Sequence, residues 1–169
     1  RALVQAGHAV RILDDFSASM RSGLGGYEVL DGDVREPAVV REALAGCGAV
    51  VHLAALVSVP VSLQEPQRTF DINVRGFENV LLAARDLLPD SGVVIYASSA
   101  AVYGGLDKAP VAEADAGLAQ GLSPYAASKR INEEQARAYA AAYGLRTIGL
   151  RFFNVYGPGQ AADSPYSGV

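Results

Sequence analysis

Five short apolar runs, separated by helix-forming stretches, constrain this chain's fold more than any other feature. They cover residues 9–13, 27–30, 49–53, 93–97 and 145–150. Each has strand length, and 49–53 is apolar throughout, the pattern of a strand covered on both faces. Pro37 opens a helical stretch ended by Gly46, Pro66 a long one reaching Leu88, and Ser123-Pro124 a third that runs to Gly144. Proline suits a first helical turn, where its missing N–H costs nothing, and glycine suits the stop. Strand alternating with helix implies right-handed crossovers and a parallel sheet with helices on both faces, a doubly wound α/β fold. Such folds bind ligands beyond the carboxyl ends of their strands. The residues there are Asp14-Asp15, Asp33-Val34, Ala54-Ala55, Ser98-Ser99 and Phe153-Asn154.

The remaining segments follow from the same reading. Residues 1–6 are the last turns of a helix ended by Gly7, and a loop carries Ser58, Pro60 and Ser62. In the helix at 66–88, apolar residues recur at Phe70, Val74, Phe77, Leu81, Ala84 and Leu88, in steps of four and three. Ile72 and Val80 lie on another side, so more than one face is expected to be buried. Residues 98–122 form a loop too long to be a mere connection, which marks it as functional. The tail from Phe152 is irregular.

Composition excludes several partners. The 169 residues carry a net charge of −4 with no basic run, which argues against nucleic acid and against an anionic membrane surface. A single cysteine, Cys47, leaves no internal disulfide and no cysteine-based zinc site, and no metal is expected. His8 and His52 are expected in structural roles. No apolar run approaches the roughly 18 residues of a membrane span, and no signal peptide is visible, so a cytoplasmic setting is the default.

Chemistry enters with Tyr125 and Lys129. Four residues apart on a helix, they share a face. A phenol with an ordinary pKa of about 10 is a poor base at neutral pH, and a neighbouring ammonium favours its ionised form. The plain alternative is a surface Tyr/Lys pair, although the chain has only two lysines, Lys108 and Lys129. Asp14 ends a strand where doubly wound folds place an acid on the adenosine ribose, and its charge disfavours a 2′-phosphate, hence NAD rather than NADP. An acidic turn capping the next segment is the alternative. Asp33 either accepts from an adenine amino group or caps the helix near Pro37. Ala54 and Ala55 allow a cofactor to pass close to the backbone, or simply pack. A serine at 98–99 can hydrogen-bond a sugar hydroxyl, or bond its own turn. Nothing resembles the nucleophile elbow of a serine hydrolase.

Taken together the chain resembles the extended short-chain dehydrogenase/reductases, in particular the NAD-dependent epimerase/dehydratase group acting on nucleotide sugars. The residues that carry this are Leu13-Asp14-Asp15, Asp31-Gly32-Asp33-Val34, His52-Leu53-Ala54-Ala55, Asn73-Val74-Arg75-Gly76, Ser98 to Gly104, Tyr125-Ala126-Ala127-Ser128-Lys129 and Arg151 to Pro158. The resemblance implies a Rossmann-like domain in which Asp14, Asp15 and Ser19 hold the adenosine end of NAD. It implies that Asp33 and Val34 flank the adenine and that Leu53, Ala54 and Ala55 line the cofactor's path. Asn73 would support that path, Phe153 would pack near the nicotinamide, and Asn154 would touch the nucleotide sugar. Ser99, Tyr125 and Lys129 would form the catalytic set. The dehydratases and decarboxylases of the group carry an acid where this chain has Ala100-Ala101. This, with the late Ser164 to Val169 stretch, implies a 4-epimerase of UDP-glucose or UDP-N-acetylglucosamine. A homodimer through the helices at 66–88 and 124–143 is also implied.

The group's first strand and Gly-rich phosphate turn are not in these 169 residues, nor is most of its carboxyl-terminal substrate domain. Residues 1–169 are therefore expected to be part of a longer chain: a partial NAD-binding domain that alone binds NAD weakly and does not epimerise. Without the central strand, the strands at Val10 and Val51 are expected to stand unpaired or to be forced together. The competing readings are a 4,6-dehydratase or another extended short-chain oxidoreductase, and a non-catalytic NAD-binding or dimerisation module.

Overall fold

The computed structural model describes residues 1–19, 21–105, 110–118 and 122–157. Strands β1 (Arg11–Asp14) and β2 (Glu28–Asp31) form a parallel pair, with Asp14 opposite Asp31. Strands β3 (Ala49–His52), β4 (Val93–Ser99) and β5 (Thr147–Phe152) form a second parallel sheet in that order. No β1–β3 pairing occurs among the described residues, and Val51 is 47% exposed. Of the two outcomes expected for a sheet without its central strand, the unpaired one is found. Strand ends differ from the apolar runs by one or two residues, and β4 runs on to Ser99 rather than residue 97. β1 starts at Arg11 rather than residue 9, and β5 runs to Phe152 rather than residue 150, because ladder partners rather than hydropathy set their ends.

Helices α1 (Ala2–Gln5), α2 (Pro37–Leu44), α3 (Val59–Gln64), α4 (Pro66–Phe70), α5 (Gly76–Leu87) and α6 (Pro124–Tyr143) complete the fold. The helix end expected over residues 1–6 is α1, and Gly7 after it takes a positive φ of 89°. α3 is a correction: the segment expected as a loop is helical, with Ser58 Oγ accepting from Val61 N at 3.3 Å and proline in the first turn. The same pairing of a serine cap with an early proline opens α6, where Ser123 Oγ accepts from Ala126 N and Gly144 closes the helix at φ 69°.

The long helix expected at 66–88 is found over residues 66–87, with one feature the sequence did not show: a π-helical turn at Asp71–Arg75 lies between α4 and α5. The turn survives because α6 takes its carbonyls. Asn132 Nδ2 donates to Asn73 O at 2.8 Å, and Gln135 Nε2 donates to Val74 O at 3.3 Å. The extra residue lets Thr69 and Asn73 bury on one side of the break and Phe77, Val80, Leu81 and Ala84 on the other.

The core lies between α2, α5, α6 and one sheet face, built from Val40, Leu44, Phe77, Leu81, Val94 and Tyr96. Each such side chain contributes about 1.5–3 kcal/mol by leaving water. The opposite face is not covered among the described residues: Val51, Ile148 and Leu150 are exposed, against the expectation that β3 is buried on both sides. Close approaches require glycine at several positions, two of them beside the core. A Cβ on Gly149 would meet the Tyr96 hydroxyl at 2.5 Å, and one on Gly76 would meet Val34 Cγ2 at 2.7 Å. The β1–β2 pair is tied to the rest by Arg11. Its Nη1 donates to Ala43 O at 3.0 Å and Ala45 O at 2.7 Å at the α2 C-terminus, while its Nε faces Glu28 at 2.8 Å. Arg41 and Asp86, 2.7 Å apart, join α2 to α5.

Candidate active site

The strand ends gather the expected residues into two groups. The first lies beyond β1 and β2. Asp14 ends β1, and its Oδ1 accepts from Phe16 N at 2.8 Å and from Ser19 Oγ at 2.9 Å. Asp15 is exposed and takes Ser17 N and Ser17 Oγ at 3.0 and 2.7 Å. Neither caps a helix, so the capping alternative for Asp14 is not what its bonds make: they close a local turn. Asp33 does not cap α2 either: Glu36 holds the N-cap position. Instead Asp33 accepts from Arg35 N and Arg35 Nε, both at 2.8 Å, and the guanidinium holds its carboxyl below the usual range. Val34 is buried against Gly76, and its carbonyl accepts from Asn79 Nδ2 at 3.0 Å.

The second group lies beyond β3, β4 and β5. Asn73, in the π-helical turn and 1% exposed, grips the loop after β3. Its Oδ1 accepts from Leu56 N at 2.8 Å, and its Nδ2 donates to Leu56 O at 3.1 Å and Ser128 Oγ at 3.0 Å. Ser128 in turn donates to Tyr125 O at 2.7 Å. Asn73 thus fixes both the backbone after Ala54 and Ala55 and the first turn of α6. Leu53 is 61% exposed, while Ala54 and Ala55 are half-buried.

Lys129 is 3% exposed, and its Nζ donates to Ala97 O in β4 at 2.8 Å. The ammonium sits 5.9 Å from the Tyr125 ring centroid, as the four-residue spacing requires. Burial lowers Lys129 to about 8. No acid pairs with it among the described residues. His52 lies beneath, stacked on Phe77 with centroids 5.0 Å apart, and burial with the nearby Lys129 charge pushes it down to about 3. It packs in the core. Ser99 ends β4 and accepts from Ala101 N at 3.1 Å, opening a 3₁₀ turn over Ala100–Tyr103. Its hydroxyl oxygen bonds the local turn, one of the two readings of the serine pair, and it stands at the strand end. Phe153 is 64% exposed with its ring 6.2 Å from Tyr103, and Asn154 is exposed. Pro158 and the stretch from Ser164 to Val169 lie outside the described residues.

Sequence reasoning gave no role to Glu133 and Arg151. Glu133 Oε1 accepts from Ser98 Oγ at 2.6 Å, and the two carboxylate oxygens take Arg151 Nε and Nη2, each at 2.8 Å. Glu133 follows Lys129 by four residues, and Arg151 is a charge between Leu150 and Phe152. Those were the available signals.

Comparison with known proteins follows the same lines. The family model described as "NAD dependent epimerase/dehydratase family" matches residues 1–169. UDP-glucuronate 4-epimerase 3 of Arabidopsis thaliana is 34% identical across 98% of this chain and 41% of its own length. The chain spans about two-fifths of such curated relatives. Among solved structures, UDP-glucose 4-epimerase from Thermus thermophilus in complex with NAD aligns at TM-score 0.86 and 31% identity, over 98% of this chain and 53% of that one. UDP-N-acetylglucosamine 4-epimerase from Methanobrevibacter ruminantium M1, in complex with UDP-N-acetylmuramic acid, aligns at TM-score 0.84 and 32% identity, over 95% and 52%.

Proposed function

The chain belongs to the NAD dependent epimerase/dehydratase family, and on that premise we propose that it is the cofactor-binding and catalytic half of an NAD-dependent nucleotide-sugar 4-epimerase. The observation that carries this reading is Lys129: an ammonium 3% exposed, anchored on the β4 carbonyl of Ala97 beside Tyr125, with no acid on it among the described residues. A buried cation without a counter-charge is costly, and a charge developing on the neighbouring phenol offsets that cost.

The residues present fit NAD at both ends. Asp14 supplies a carboxylate for the adenosine ribose, with Asp15 and Ser19 in the same turn and Asp33 and Val34 beside the adenine. Leu53, Ala54 and Ala55 would line the path towards the nicotinamide, with Asn73 supporting that path from behind and Lys129 and Phe153 near its end. When bound, NAD+ supplies a reversible acceptor for the hydride at the sugar's C4. Tyr125 takes the proton from the 4-hydroxyl and later returns it. Lys129 favours the ionised phenol and, with NAD bound, would hold the nicotinamide ribose. Ser99 hydrogen-bonds the reacting oxygen, and Asn154 meets the nucleotide part of the substrate. With Ala100 and Ala101 following Ser99, no second acid stands in that turn to expel water, which favours epimerisation over 4,6-dehydration.

The three substrates named by the relatives define the assay. The full natural chain, purified with NAD+, should interconvert C4 epimers of UDP-glucose, UDP-N-acetylglucosamine or UDP-glucuronate. Tyr125→Phe should lower turnover about 10²–10⁴-fold without changing the melting temperature. Near-normal turnover in that variant would sink the assignment. The reading also includes a cytoplasmic homodimer joined through α4–α5 and α6, where Ile131 is 37% exposed. Sedimentation at monomer mass would exclude the dimer.

A further inference from the structure

One ion pair joins α6 to the ends of β4 and β5 and to the turn after Ser99. Glu133 and Arg151 make a two-pronged contact, with both carboxylate oxygens engaged and side chains only 10% and 21% exposed. Glu133 also accepts from Ser98, which is 2% exposed and is the ladder partner of Arg151 across β4 and β5. Arg151 Nη1 goes on to donate to the Tyr103 hydroxyl at 3.1 Å and to Glu113 O at 2.6 Å, and its guanidinium carbon lies 5.2 Å from the Tyr103 ring centroid. Five pieces of chain therefore meet at one charge pair: α6, the ends of β4 and β5, the 3₁₀ turn at Ala100–Tyr103, and residue 113.

The placement is specific. Ser98 immediately precedes Ser99. Tyr103 closes the turn that Ser99 opens. Glu133 stands one helical turn beyond Lys129 on α6. Neither charge touches Tyr125, Lys129 or Ser99, so the pair has no direct part in proton transfer. We propose that Glu133 and Arg151 are positioning residues that set α6, with Tyr125 and Lys129, against the Ser99 turn, and this rests on the functional reading above. A planar guanidinium fork holds two directions at once, which a point charge cannot, so geometry and not charge alone is the expected contribution. Misplacement of reacting groups by about 1 Å costs up to about 10²-fold in rate.

The test uses the full natural chain with Arg151→Lys, which keeps every charge but loses the fork, and Glu133→Gln, which keeps the shape. Both are assayed well below their melting temperatures. Turnover should fall about 10–100-fold with KM within about threefold of wild type, the signature of an interaction expressed in the transition state. Should either variant fail to fold, Ser98→Ala and Tyr103→Phe each delete one bond of the network, and a loss of about threefold in kcat is expected for each. Unchanged kcat, or a rise in KM alone, overturns the proposal. A second readout needs no substrate: the ¹³Cε resonance of Lys129 followed against pH. In Arg151→Lys its midpoint should move from about 8 towards the ordinary lysine value as the packing around Nζ loosens. A midpoint that stays put overturns the positioning. If wild type converts none of the three sugar nucleotides, the functional reading falls, and the Lys129 titration alone decides.

Discussion

The two groups of strand-end residues are held in different ways. Beyond β1 and β2, the carboxylate bonds of Asp14, Asp15 and Asp33 reach no further than five residues along the chain. Beyond β3, β4 and β5, those of Asn73, Lys129, Glu133 and Arg151 join residues 17 to 59 apart. The first group is a set of self-contained turns, whereas the second exists only when α6, the π-helical turn and the sheet have docked. Damage should therefore stay local in the first and spread in the second.

Four substitutions or conditions can break or sharpen that contrast. Asn73→Ala removes a side chain that bonds the Leu56 backbone twice and Ser128 once, and should cost about 2–4 kcal/mol in urea unfolding. A loss below about 1 kcal/mol would show that the catalytic group is not assembled through it. Next comes acid. His52 is neutral in the fold down to about pH 3 but takes a proton near 6.5 when unfolded. Its contribution is present above pH 6.5 and is lost as pH falls below that value, amounting to about 2 kcal/mol by pH 5. Melting curves from pH 7 to 5 should show this loss, and in His52→Leu the pH dependence should flatten. Gly76→Ala forces a Cβ onto Val34 at the junction between the two regions, and about 1–2 kcal/mol is expected. Asp14→Ala should be smallest in stability, below about 1 kcal/mol, because only a local turn is lost. The same variant should weaken NAD binding in the full natural chain. An Asp14 variant that unfolds as readily as the Asn73 one would erase the distinction.

This division also governed what could be read from residues alone. Alternating strands and helices, the Ser-Pro start and glycine stop of α6, and the Tyr125–Lys129 spacing are local signals, and each appears where its residues put it. The structure departs from the reading where a distant partner decides. The π-helical turn exists because Asn132 and Gln135, some sixty residues later, supply donors to its carbonyls. Arg151 reads as a break in an apolar run until Glu133 is seen beside it. The uncovered face of β3 follows from what packs on the sheet, and its hydropathy cannot report that. α3 is different: its cap and proline were legible, and the polar serines obscured them.

The π-helical turn has a further consequence. Residues 66–87 look like one rod but obey two clocks, the upstream half keeping time with α6 and the downstream half with α2 and the sheet. One surplus residue reconciles them. Each residue of an α-helix advances the face by about 100°, so a single insertion or deletion between Asp71 and Arg75 turns one half out of phase with its neighbour while leaving the other in step. The phase of both halves is therefore set at that five-residue stretch, although nothing in its own composition says so.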